Sequence, residues 1–117
     1  MLRAVLEQLG HKVLHAGDGE RGLELLKLGE LDLVMLDGRM PRLDGPATAR
    51  ALRAMEGPAA LIPVVAVIGG DAEEADAMRA AGCDCVLRKP VTVAGVARTV
   101  EDAAVIRSNL TRRASAA

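Results

Sequence analysis

Segments of helical period alternate with short apolar runs along this chain. "MLRAVLEQLG" sets Leu2, Val5, Leu6 and Leu9 at the i, i+3, i+4, i+7 positions of one helix face, and Gly10 follows as a residue that can take positive φ and stop the helix. "HKVLHA" is read as a short strand, and "GDGERGLELLKLGE" as a second helix through Leu23, Leu25 and Leu26. "LDLVML" is the next strand, its unbroken apolar run from Leu33 to Leu36 predicting cover on both faces. A third helix over "DGPATARALRAMEG" has Asp44 as N-cap, Pro46 in the first turn and Gly57 at its end. "IPVVAVIGG" is a β-branched strand, and "DAEEADAMRAAG" a fourth helix with Asp71 and Glu74 at capping-box spacing and Gly82 as its stop. "CVL" is a last brief strand, followed by a final helix, "TVAGVARTVEDAAVIRSNL", with Val93, Val96, Val100, Ala103 and Ala104 on one stripe. Residues 111–117, "TRRASAA", are read as a frayed tail behind one domain spanning residues 1–110. The alternation predicts an α/β domain with a parallel sheet.

Composition narrows the function classes. At 117 residues the chain has room for one core, and 15 basic against 16 acidic side chains leave a net charge of -1, which offers no electrostatic footprint for nucleic acid. No apolar run approaches the roughly 20 residues of a membrane span, and the first residues show no basic-then-apolar leader pattern, so a cytoplasmic protein is expected. Cys83 and Cys85 in "GCDCV" are too close together to staple a loop. Phe, Tyr and Trp are all absent, so the core has to be built from Leu, Val, Ile, Met and Ala.

Against that background the stretch "LDLVMLDGRMPRLDG", residues 31–45, stands out because its apolar run ends on a carboxylate, Asp37. Asp37 falls just past the carboxyl end of a strand, and Lys89 just past the strand containing Val86 and Leu87, at the sheet edge where open α/β proteins gather ligands. A carboxylate nucleophile aimed at a phosphoryl group needs a cation to neutralise the transferred oxygens, and a divalent metal usually helps. Position and spacing alone fit equally a structural pair in which Asp37 caps the strand end or binds Lys89. Cys83 and Cys85 lack further soft ligands nearby, His11 and His15 being far away in sequence, and are read as small hydrophobes, His15 as an ordinary strand residue, and Arg107, Arg112 and Arg113 as a solvated end. "GDGERG" has neither dinucleotide nor P-loop spacing.

These motifs together resemble the response regulator receiver domains of two-component signalling, the CheY-like family. "LDLVMLDGRMPRLDG" is similar to that family's phosphoacceptor segment, with Asp37 at the phosphorylated aspartate, Met40-Pro41 at its Met-Pro pair and Asp44-Gly45 at its turn. "IPVVAVIGG", "AAGCDCVLRKPV" and the final helix resemble its fourth strand, its fifth strand with Lys-Pro, and its fifth helix, over Leu2 to Leu110 in all. The resemblance implies a flavodoxin-like, doubly wound parallel sheet in three α/β/α layers. It further implies phosphoryl transfer from a histidine kinase or phosphotransfer protein to Asp37, Lys89 contacting the phosphate, Mg²⁺ on Asp37 and the Arg39 carbonyl, and a cis Lys89-Pro90 peptide. A signalling module is expected, not an enzyme.

The chain departs from the family pattern in three places. The family opens on a strand followed by an acidic pair that holds Mg²⁺, whereas this chain starts at the first helix and has no adjacent acids before Asp37, which weakens the metal site. The family's hydroxyl residue falls at Ile68, with no Ser or Thr between Thr48 and Thr92, and its switch aromatic falls at Val86. In the family's strand order, 2-1-3-4-5, the first strand is central. Its absence predicts a chain that extends upstream of Met1, a partner or second copy filling the gap, or direct pairing of the flanking strands, since unpaired buried backbone groups cost roughly 1–3 kcal/mol each. Two functions follow: a receiver phosphorylated on Asp37 with atypical switching, or a pseudo-receiver that binds a kinase, output domain or homodimer partner without phosphorylation.

Overall fold

The computed structural model describes the backbone of residues 2–28, 31–38 and 44–116, and their side chains except at 58 and 110–116. Helix α1 (Leu2–Gln8) ends through Gly10 at φ 92°, as its pattern predicts. Helix α2 (Gly19–Leu26) is capped by the Asp18 side chain, which accepts from Arg21 N–H at 2.9 Å. Strand β1 (Val34–Asp37) leads to α3 (Gly45–Arg53), where Asp44 Oδ1 accepts from Ala47 N–H at 2.8 Å. Strand β2 (Val64–Ile68), α4 (Ala72–Ala80), β3 (Cys85–Arg88) and α5 (Val93–Ala116) complete the order.

The three strands run parallel in the order β1-β2-β3, with Asp37 opposite Val67 and Ile68 opposite Arg88. Each crossover advances one strand in the same direction, so right-handed connections put α3 and α4 on the same face, and these helices touch. Period-2 alternation then divides the core. Leu36, Val64, Ala66 and Ile68 pack with Ala49, Leu52, Ala75 and Met78 under α3 and α4. Val65 and Val67 point the other way, toward the layer of α1 and α5 that buries Val5, Val96 and Ala103. With no aromatic ring available, the fully buried volume is Leu, Ile, Val and Met.

Four expectations change. "HKVLHA" forms no strand; residues 11–16 join no ladder, Leu14 is 50% exposed, and direct pairing of this segment with β1 is therefore not the outcome. A strand needs a neighbour to satisfy its N–H and C=O groups, and none of the described residues supplies one here. The run over β1 is not buried on both faces: Leu36 alone is buried, while all five residues of β2 are. The reason is position, since β2 has a strand on each side and helices on both faces, and β1 lies at the sheet's edge among the described residues. The third helix stops at Arg53 and is followed by a separate 3₁₀ turn (Pro58–Leu61) that Gly57 introduces at φ 81°. Helix α5 continues to Ala116 instead of ending at Leu110, and of its predicted stripe Val96 and Ala103 are buried while Val93 and Ala104 are exposed.

Candidate functional site

Sheet parity brings Asp37 and Lys89 together. Asp37 pairs with Val67 in register, and Lys89 lies two residues beyond Leu87, which also pairs with Val67, so both side chains project on the same side of the sheet. Their backbones are fixed by continuation of the ladder: Gly38 N–H donates to Val67 O at 3.1 Å, and Lys89 N–H to Ile68 O at 2.8 Å. Roughly 10 Å of sheet separates β1 from β3 across β2, a gap that the long lysine side chain spans to put Nζ 3.3 Å from Asp37 Oδ2. The pair stays open to solvent, with 43% of the Asp37 side chain and 50% of the Lys89 side chain exposed. The Lys89-Pro90 peptide is cis, as the resemblance implied.

Helix α3 presses its start against the end of β1. A Cβ on Gly45 would lie 2.7 Å from the Asp37 carbonyl oxygen and 2.8 Å from Gly38 Cα, so only glycine lets the helix approach this closely. Between the end of β1 and α4 lies an open notch of about 350 Å³ lined by Gly38, Gly70, Asp71, Glu73, Glu74 and Ala77. Asp71 caps α4 by accepting from Glu74 N–H at 3.0 Å, which is half of the predicted capping box. In place of the other half, the Glu74 carboxylate lies over Gly70 and Gly38: a Cβ on Gly38 would come 2.6 Å from Glu74 Oε1 and 3.3 Å from Ile68 Cγ2.

The residues at the two altered family positions are accounted for by packing. Ile68 is fully buried in the core under α3 and α4, and Val86 is half-buried against the same cluster. Arg39, Met40 and Pro41 lie outside the described residues, as do the side chains of Arg112 and Arg113. Asp37 offers a hard carboxylate oxygen suited to Mg²⁺, but among the described residues no group of three or more His, Cys, Asp or Glu gathers to hold a metal. The donor set fits a cation that takes most of its ligands from water and phosphate.

At the opposite edge of the sheet, a second charged centre escapes sequence reasoning. Asp84, whose side chain is 3% exposed, accepts from Arg53 at 3.0 Å, from Arg107 Nε at 2.8 Å and from Val64 N–H at 2.8 Å. Arg53 also donates to the carbonyls of Gly82, Ala60 and Ile62. Burial, and Arg107 alongside, lower the Arg53 pKa from its ordinary value. Arg107 is thus part of a clasp and not a solvated end. Neighbouring Cys83 is buried, which pushes its thiol pKa up to about 11, and burial raises Cys85 as well.

A family model described as the response regulator receiver domain matches residues 1–101. The chain belongs to that family. This receiver domain is 38% identical over 91 residues to the aerobic respiration control sensor protein ArcB of Escherichia coli, covering 78% of the chain and 12% of that protein. It is 32% identical over 103 residues to the sensor histidine kinase GacS of Pseudomonas protegens, covering 86% of the chain and 11% of GacS. The chain thus spans about an eighth of these relatives. Among solved structures, the receiver domain of a Pseudomonas aeruginosa sensor histidine kinase, with a magnesium ion coordinated in its active site cleft, superposes with TM-score 0.77 at 28% identity, over 83% of this chain and 80% of that one. A receiver domain protein from Clostridium thermocellum gives TM-score 0.80 at 27% identity, over 93% and 86%. The flavodoxin-like α/β assignment stands. No helix among the described residues is long and apolar enough to cross a membrane.

Proposed function

We propose that this receiver domain accepts a phosphoryl group on Asp37 from a phosphohistidine of a histidine kinase or phosphotransfer protein. One carboxylate oxygen of Asp37 bonds to phosphorus as the phosphorus–nitrogen bond breaks; the electron pair stays with the donor imidazole, which picks up a proton from solvent. The product is an acyl phosphate. The observation that carries this reading is the Lys89 ammonium 3.3 Å from Asp37 Oδ2 at the open carboxyl edge of the sheet, where it can follow the charge onto the transferred oxygens. Mg²⁺, held by Asp37 and the Arg39 carbonyl, would supply further charge neutralisation when bound. The chain acts as an acceptor module in the cytoplasm, not as an enzyme, with an output domain or a second copy as its downstream partner.

Switching is atypical in this reading, because Ile68 is locked in the core and no hydroxyl or aromatic stands at the switch positions. The signal would pass through α4, β3 and α5, where Val105 and Ile106 are exposed. Buried Ile68 also favours a second reading, a pseudo-receiver that docks partners without phosphorylation. Intact mass after incubation with acetyl phosphate and Mg²⁺ separates the two. A gain of one phosphoryl group, absent in Asp37→Asn, supports the acceptor; no gain supports the pseudo-receiver. Because the Asp37 and Lys89 pair is exposed, Asp37→Asn should change stability by less than about 1 kcal/mol, so loss of labelling would reflect chemistry and not unfolding.

A further inference from the structure

We propose that this domain forms a two-fold dimer through the amino end of its sheet, with Leu28 of each copy seated in an apolar cavity of the other. The cavity, about 290 Å³, has Leu26 and Lys27 at the end of α2 on one side and Met55, Glu56 and the 3₁₀ turn after α3 on the other. Its apolar lining is Leu26 and Ile62, both buried, with half-buried Leu31 and Met55. Leu31 leads into β1 and Ile62 into β2, so the cavity lies at the opposite end of the strands from Asp37, and the inference does not depend on Asp37 as acceptor. An apolar hole of about 150 Å³ already takes up a benzene-sized group, so this one admits a leucine side chain. Two leucines border it in the open: Leu28, directly after Lys27, is 65% exposed, and Leu61, directly before Ile62, is 50% exposed. Exposed apolar surface concentrated around one cavity marks a contact face.

The occupant is argued from self-complementarity. A two-fold contact uses the same patch on both copies, so that patch must carry both the projection and the hole that receives it. Leu28 and the cavity meet this condition side by side. The charges meet it too. Lys27 on the α2 side and Glu56 on the α3 side are both exposed, and among the described residues no ion pair joins them. A two-fold axis between these sides carries Leu28 into the opposing cavity and sets each Lys27 against the Glu56 of the second copy, giving two rim pairs of opposite sign.

The test is sedimentation velocity over a concentration series, read by interference optics because the chain has no Trp or Tyr, with far-UV circular dichroism confirming the fold of each variant. Wild type should dimerise. Each substitution acts twice in a two-fold contact, so Leu28→Asp should weaken the dimer at least about a hundredfold. Lys27→Glu sets like charges together and should weaken it about tenfold, and adding Glu56→Lys to it should restore wild-type affinity. Ile106→Asp, at another exposed apolar position, on α5, should change nothing. A wild type that stays monomeric up to its solubility limit would overturn the dimer. A dimer that survives Leu28→Asp would place the contact on another face, and a double charge variant no tighter than Lys27→Glu alone would overturn the two-fold arrangement.

Discussion

Removal of the Asp84 carboxylate should cost this domain much of its stability, although Asp84 lies at the far edge of the sheet from the proposed phosphoacceptor. The Asp84 side chain is 3% exposed and receives three hydrogen bonds, two of them from guanidinium groups whose own side chains are 16% and 17% exposed. Asp84→Ala would leave the Val64 N–H without its acceptor at the start of the central strand, at about 1–3 kcal/mol. It would also leave Arg53 and Arg107 facing each other without a counter-charge, and breaking a buried pair from one side costs about 3–5 kcal/mol. Arg53 keeps its three carbonyl partners, which limits its share of the loss. The terms overlap, so a net 3–5 kcal/mol is expected, against a total of roughly 5–15 kcal/mol for a folded domain. At about 4 °C per kcal/mol for a chain of this size, Tm should fall by about 12–20 °C. With no Trp or Tyr to report by fluorescence, urea unfolding is followed by far-UV circular dichroism. Asp84→Asn, which retains an acceptor for Val64, should lose less. A loss under 1 kcal/mol for Asp84→Ala, with an unchanged m-value, would refute the clasp as a stabilising element.

The Cys83 thiol is raised from 9.0 to about 11 in the folded chain, so between those values the unfolded state has lost a proton that the native state keeps; stability is intact below pH 9 and falls by up to about 3 kcal/mol as pH rises to 11. Urea midpoints from pH 8 to 11 for wild type and Cys83→Ala should diverge in slope, the variant being flatter, and parallel slopes would count against the assignment. Gly45→Ala would drive a Cβ into the Asp37 carbonyl and Gly38 Cα; a loss of about 1–3 kcal/mol in urea unfolding is expected, together with slower phosphorylation as the acceptor strand shifts.

The sequence by itself determined whatever depends on neighbours along the chain. Gly10 and Gly82 take positive φ and end their helices, Asp44 and Asp71 cap theirs, and the β-branched run Val64–Ile68 becomes the buried central strand, because caps and periodicities act within a turn or two. Asp37 and Lys89 could be placed at one edge for a related reason, since each follows directly on a strand whose period is 2. Tertiary structure decided the remainder. "HKVLHA" carries a plausible strand pattern, yet a strand forms only when a neighbour takes up its hydrogen bonds. Asp84 meets Arg53 from 31 positions away and Arg107 from 23, separations that leave no spacing signal to read. Glu74 had the spacing of a capping box, and the free volume over Gly38 and Gly70, which only the packing of α4 against the sheet creates, took its carboxylate instead.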